Sequence, residues 1–191
     1  MVLNVPRTFI LVTGMPGSGK SIVVSVAKEL GIPVYTMGDV VRDETLRMYG
    51  TITPELMVET SRLLRERFGE DIIALRTLER VREDHRVVLI DGVRSLKEVE
   101  LFQKYGDVVI IAVHASPKTR FKRLLERKRP GDPSSYEEFA RRDLAELGFG
   151  LGHVIALADH VIINEDTPEK AREEARRILT SLVGPHGRNC C

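Results

Sequence analysis

Cysteine is missing from the whole chain except at its last two positions, Cys190 and Cys191. Two adjacent thiols at one end cannot cross-link a core, so no disulfide framework holds this protein. No stretch reaches the roughly 20 consecutive apolar residues that span a bilayer. The first residues do not join a basic segment to a long apolar run, so no signal peptide is expected either. These absences lead to the expectation of a cytoplasmic protein with no membrane partner. A basic excess is also lacking, since the formal net charge is +1. A non-specific nucleic-acid binder needs a clear positive field, so this balance argues against nucleic acid as a partner. Internal repeats and low-complexity blocks are absent too.

What remains is an ordinary globular composition, 191 residues with 42% hydrophobic and 30% charged, long enough to bury a sizeable core. Arg far outnumbers Lys. The planar guanidinium fork matches phosphate and carboxylate; a thermophilic or GC-rich origin would give the same bias.

Apolar β-rich runs alternate with amphipathic segments, the pattern of an α/β protein with a parallel sheet. Five strands are expected, at 9–12, 33–35, 87–90, 108–113 and 160–163. Each run is apolar on both faces, as a sheet covered on both sides requires. Thr53-Pro54, Ser116-Pro117 and Thr167-Pro168 each place a capping hydroxyl before a proline at the first helical position. Ser95 with Glu98, and Ser135 with Glu138, have capping-box spacing. Gly106 and Gly148 are expected helix stops.

The chemistry begins between the first strand and a helix that starts at Lys20 or Ser21 and ends near Gly31. There Gly14-Met15-Pro16-Gly17-Ser18-Gly19-Lys20-Ser21 fits G-x-x-x-x-G-K-[ST], the P-loop pattern, in its proper strand–helix setting. Glycines let backbone N–H groups turn in around phosphate oxygens, and the helix N-terminus adds partial positive charge. This pattern implies a nucleoside triphosphate as the ligand, with Lys20 on the β- and γ-phosphates and Ser21 on Mg2+. Asp91 closes the apolar run 87–90, at the strand edge where open α/β sheets bind ligands. A carboxylate there can hold Mg2+; a turn or helix-capping Asp before Gly92 is the plainer alternative.

Two stretches, 38–85 and 127–147, exceed an ordinary crossover and fit a substrate-binding insert and a lid. The core is then 1–37, 86–126 and 148–184, with 185–191 a disordered tail.

Several motifs resemble the nucleoside monophosphate kinases. Tyr35-Thr36-Met37-Gly38-Asp39-Val40-Val41-Arg42 is similar to the adenylate kinase segment S-T-G-D-x-[LI]-R. Leu89-Ile90-Asp91-Gly92-Val93-Arg94-Ser95 is similar to L-D-G-[FY]-P-R-[TS], with Val93 standing for two residues. Arg123-Leu124-Leu125-Glu126-Arg127 resembles the R-x-x-x-R run entering the lid. Ala158-Asp159-His160-Val161-Ile162-Ile163-Asn164 resembles the A-D-x-V-I-x-N strand of dephospho-CoA kinase. Across about residues 8–183 the combination most resembles the archaeal adenylate kinase-like or dephospho-CoA kinase-related proteins.

The resemblance implies a three-layer P-loop NTPase fold with a five-stranded parallel sheet, a monophosphate-binding insert and a short lid. It also implies phosphoryl transfer from MgATP to a nucleoside monophosphate-like acceptor, AMP favoured. Arg42 and Arg94 would then bind the acceptor phosphate, Thr36 would lie near its base, and Asp39 would hold Arg42 or touch the acceptor. Arg123 would pack on the donor adenine and Arg127 would touch transferring phosphate. Arg141 and Arg142 are candidate distal lid arginines. Charge-assisted bidentate bonds from arginine suit a phosphate dianion; a solvated helix face is the alternative for Arg42, and a basic surface helix for Arg123 and Arg127. The lid contains no cysteines, which excludes a zinc-bearing lid. Dephospho-CoA kinase activity, with Asp39 as base, is the runner-up. A regulatory or assembly-factor ATPase is the reading from another class.

Overall fold

Strand β1 (Arg7–Thr13) runs through the middle of the sheet in the computed structural model, which describes residues 7–184. Residues 1–6 and the expected tail 185–191, with Cys190 and Cys191, lie outside the described residues. The other strands are β2 (Val34–Thr36), β3 (Val87–Asp91), β4 (Gly106–His114) and β5 (His160–Ile163). All pair in parallel in the order β2-β3-β1-β4-β5, so the five expected strands are present.

Successive strand side chains point to opposite faces, and β1 shows what this does. Phe9 and Leu11 join one core cluster, while Ile10 and Val12 join the other. On the second face lie α1 (Lys20–Glu29) and α9 (Pro168–Val183), which supply Val23, Val26, Ala175 and Ile178. The first face is covered by α2 (Met37–Tyr49), α3 (Pro54–Phe68), α4 (Ile72–Leu78), α5 (Leu96–Gln103) and α8 (Leu151–Ala156). Val40, Leu64 and Ile73 pack there with Val88 and Ile90. Helices α6 (Pro117–Arg127) and α7 (Tyr136–Gly148) follow β4 at the carboxyl edge of the sheet. Burial against the sheet, more than helix propensity, holds these short helices.

Several local expectations need correction. Gly106 opens β4 and does not stop a helix; a Cβ there would sit 2.1 Å from the Arg7 carbonyl oxygen, so the close strand approach selects glycine. Gly148 is the last residue inside α7, and the left-handed glycine that ends the turn is Gly150. Ser135 does accept from the Glu138 N–H, but the Glu138 carboxylate takes the N–H and hydroxyl of Ser134. Thr167 precedes Pro168 as expected, yet its hydroxyl makes no capping bond. Strand β5 is not covered on both faces, because it lies at the sheet edge with Val161 and Ile163 exposed. Among the described residues no helix is long and apolar enough to cross a membrane.

Candidate phosphate-transfer site

Because β1 is central, the chain leaving it crosses to β2 on one side, while the chain leaving β3 crosses to β4 on the other. Ligands of open α/β sheets bind at such a switch point, beyond the carboxyl ends of the strands. The loop 14–19 leaves β1 there and runs into α1. Gly19 caps the helix with φ +101, and a Cβ on it would lie 2.2 Å from Nδ2 of Asn164. Both facts require glycine. Asn164, just past β5, donates to the Ser18 carbonyl at 2.8 Å and is buried. The end of the fifth strand thus shapes the loop that follows the first.

Lys20 folds back and donates from Nζ to the Gly14 carbonyl at 2.6 Å. Burial lowers its pKa to about 8, opposed by the negative charges of Asp91 and Glu146. Asp91 pairs with Val12 on one side and Thr36 on the other in the strand register. Burial raises its carboxyl above the usual range, while Lys20 and Arg94 pull it back down. Its Oδ1 is buried without a hydrogen-bond partner. That orphaned oxygen and the hydroxyl of the exposed Ser21 at the start of α1 are the kind of oxygen donors that Mg2+ takes. The residues present therefore fit that ion.

A cavity of about 170 Å³ opens between the loop, the turn after β3 and residues Arg127, Arg142 and Glu146. Gly14, Pro16 and Gly17 form one wall, and four cations line it: Lys20, Arg94, Arg127 and Arg142. Its volume is below the roughly 300–1,000 Å³ of sites that hold whole drug-sized ligands, so it has the size for phosphate groups. One carboxylate, Glu146, shares the lining.

The expected arginines divide into two groups. Arg94 and Arg127 reach the cavity, and so does Arg142; Arg141 is exposed. Arg42 does not line it and is ion-paired with Asp39, both side chains about half exposed. Arg94 pairs with Glu146 at 3.1 Å, and Arg127 pairs with Asp132. Arg123 lies toward β5, its Nη2 3.5 Å from Asn164 Oδ1 and its Nη1 buried without a partner.

Three residues that hold the site together escaped the sequence reading of function. Arg120 is buried and donates to the Pro16 carbonyl at 3.1 Å and to Asp143. Glu98, legible as a capping-box residue, is fully buried and accepts from the Arg94 N–H at 2.7 Å and from Arg65 at 2.9 Å. Asn164 was visible as part of a motif, but its contact with the loop was not. No spacing rule links residues 16 with 120, or 18 with 164.

A family model described as an AAA domain matches residues 13–140. A UPF0200 protein of Staphylothermus marinus is 59% identical over 174 residues, covering 91% of this chain and 92% of its own. Another, of Hyperthermus butylicus, is 55% identical over 179 residues, covering 93% and 96%. The chain belongs to the AAA domain family and to the UPF0200 proteins. Among solved structures, shikimate kinase from Acinetobacter baumannii in complex with shikimate aligns with TM-score 0.60 and 18% identity, covering 93% of each chain. A gluconokinase from Sinorhizobium meliloti 1021 aligns with TM-score 0.55 and 17% identity, covering 93% and 94%. At such identities the likeness is one of fold, and the fold is that of the P-loop kinases.

Proposed function

We propose that this protein is a phosphotransferase that moves the γ-phosphate of MgATP to a nucleoside monophosphate-like acceptor, AMP favoured. The observation that carries the reading is one cavity lined both by the phosphate loop with Lys20 and by Arg94, Arg127 and Arg142. A nucleotide hydrolase needs cations on the donor phosphates alone. A second set across the cavity gives a second phosphate a place to be held in line.

In this reading Gly14 to Ser21 cradle the donor phosphates and Lys20 releases the Gly14 carbonyl to reach them. Arg94 and Arg42 hold the acceptor phosphate, with Thr36 and Asp39 beside it on the β2–α2 edge. Arg123 lies on the donor base side, and Arg127 follows the transferring group. An acceptor phosphate oxygen attacks the γ-phosphorus as the bond from that phosphorus to the β-bridging oxygen breaks, and ADP leaves. Ser21 and Asp91 would hold Mg2+, which when bound neutralises phosphate charge. Residues 38–85 serve as the acceptor insert and 127–147 as the lid that excludes water.

Acceptor-dependent ADP formation from MgATP, measured over a panel of AMP, other nucleoside monophosphates, dephospho-CoA, shikimate and gluconate, tests the reading. AMP should give the largest stimulation. A response to dephospho-CoA alone would move the acceptor to a hydroxyl with Asp39 as base. ADP formation indifferent to every acceptor would leave a regulatory or assembly-factor ATPase.

A further inference from the structure

A carboxylate inside a phosphate cavity is the feature that phosphoryl transfer leaves unexplained. Glu146 lies on α7 one turn after Arg142, and both line the cavity. Its Oε2 is 3.1 Å from Nε of Arg94, with the glutamate side chain 13% exposed. Its charge is also felt at Lys20, where it opposes the effect of burial on the ammonium. Asp39 and Asp132 pair with the neighbouring arginines Arg42 and Arg127, but neither lines the cavity. Among the described residues, Glu146 is the carboxylate that lines the cavity.

We propose that Glu146 is an internal competitor for the acceptor phosphate: it holds Arg94 in the empty protein and is displaced when a phosphate dianion enters. The inference rests on the reading of this cavity as a phosphoryl-transfer site. Carboxylate and phosphate compete for the same guanidinium donors, and two anions crowded into a partly desolvated site repel. A phosphate dianion brings more charge and more acceptor oxygens than the carboxylate, and Lys20, Arg127 and Arg142 act on its side. A substrate phosphate, also held through the rest of its molecule, therefore displaces Glu146, while a small free anion has only the phosphate contacts with which to do so. Four cations around an empty cavity would otherwise capture stray inorganic phosphate. Asp143, three residues earlier, remains tied to Arg120. The release is accordingly a swing of the Glu146 side chain, with α7 kept in place.

Titration calorimetry with inorganic phosphate and with AMP tests this on wild type, Glu146→Gln and Glu146→Ala. Both variants should bind inorganic phosphate and AMP about tenfold or more tightly than wild type, by similar factors, because each ligand must displace the same carboxylate. Unchanged or weaker phosphate binding in both variants overturns the proposal. A loss of Mg2+-dependent ATP affinity in Glu146→Gln also overturns it, by making Glu146 a metal ligand. MgATP titrations of wild type and Lys20→Ala separate the two levels. If ATP binding depends on Lys20 while the Glu146 variants show no gain, the proposal fails alone. If ATP binding does not depend on Lys20, the underlying reading fails and takes the proposal with it.

Discussion

The guanidinium of Arg120 on α6 grips the carboxylate of Asp143 on α7 through two bonds, of 2.9 and 2.6 Å. The same guanidinium donates to the Pro16 carbonyl and to that of Ala115, both at 3.1 Å, and lies over the Phe139 ring. One side chain thus ties the phosphate loop to the helix that carries Arg142 and Glu146.

Breaking that tie from one side should cost both stability and ligand affinity. Asp143→Ala leaves a buried guanidinium without its counter-charge, a loss of about 3–5 kcal/mol. Replacing both partners with apolar residues, as in Arg120→Met with Asp143→Leu, should recover much of the melting temperature. ATP affinity should nevertheless be low in that double variant, because removing Arg120 takes the donor from the Pro16 carbonyl. Thermal denaturation beside ATP calorimetry checks this; ATP affinity recovering together with stability would show that the tie is only structural.

Lys20→Ala should remove most ATP affinity, since no other side chain in the loop can place a fixed positive charge there. Gly19→Ala should act differently, through geometry. A left-handed alanine costs about 1–2 kcal/mol, and its Cβ would press on Asn164. Adding Asn164→Ala removes the clash but not the dihedral cost, so the double variant should regain part of the ATP affinity lost in Gly19→Ala. Calorimetry that finds the two substitutions simply additive would disconnect Asn164 from the loop's shape.

Arg42→Ala and Arg94→Ala should weaken AMP far more than ATP. One lost charge-assisted contact is worth roughly 1.5–3 kcal/mol, about 10- to 100-fold in affinity. Residual ATP hydrolysis should survive better than transfer in both variants. Arg42 stands about half exposed against Asp39, and a purely surface pair would shift either ligand by about 0.5 kcal/mol or less. Equal, small effects on both nucleotides would remove Arg42 from the acceptor site.

Acid should loosen the segment between α6 and α7. The Arg127 guanidinium beside Asp132 holds that carboxyl below the usual carboxylate range. A depressed folded pKa means that the stabilisation is fully present above the unfolded value of about 3.9 and is lost as pH falls through the folded one. Asp132 also accepts from the Arg129 N–H at 2.9 Å, so the loop between α6 and α7 should open at the same time. Asp132→Asn should reproduce this at neutral pH, read as faster hydrogen exchange across 127–135. Exchange there that matches wild type would show that the pair does not hold the loop.

The sequence by itself determined the five strands and the P-loop pattern set between the first of them and a helix. Strands buried on both faces read as apolar runs, as at Val88, Leu89 and Ile90, and a Gly-rich turn between strand and helix has few other uses. Local capping was also legible, since Ser95 and Glu98 act within one helical turn. What depended on residues far apart in the chain was decided by tertiary structure alone. Glu98 reads as a cap, but only packing brings Arg65 to it. Gly106 reads as a helix stop until β1 is laid beside it. Arg120 and Glu146 read as charges on amphipathic helices, because spacing within a helix reports which face a residue occupies and not what that face meets. The carboxyl ends of β1 and β3 meet α7 only after the sheet has assembled around β1. That assembly turns solvated-looking charges into one cavity of four cations and a single carboxylate.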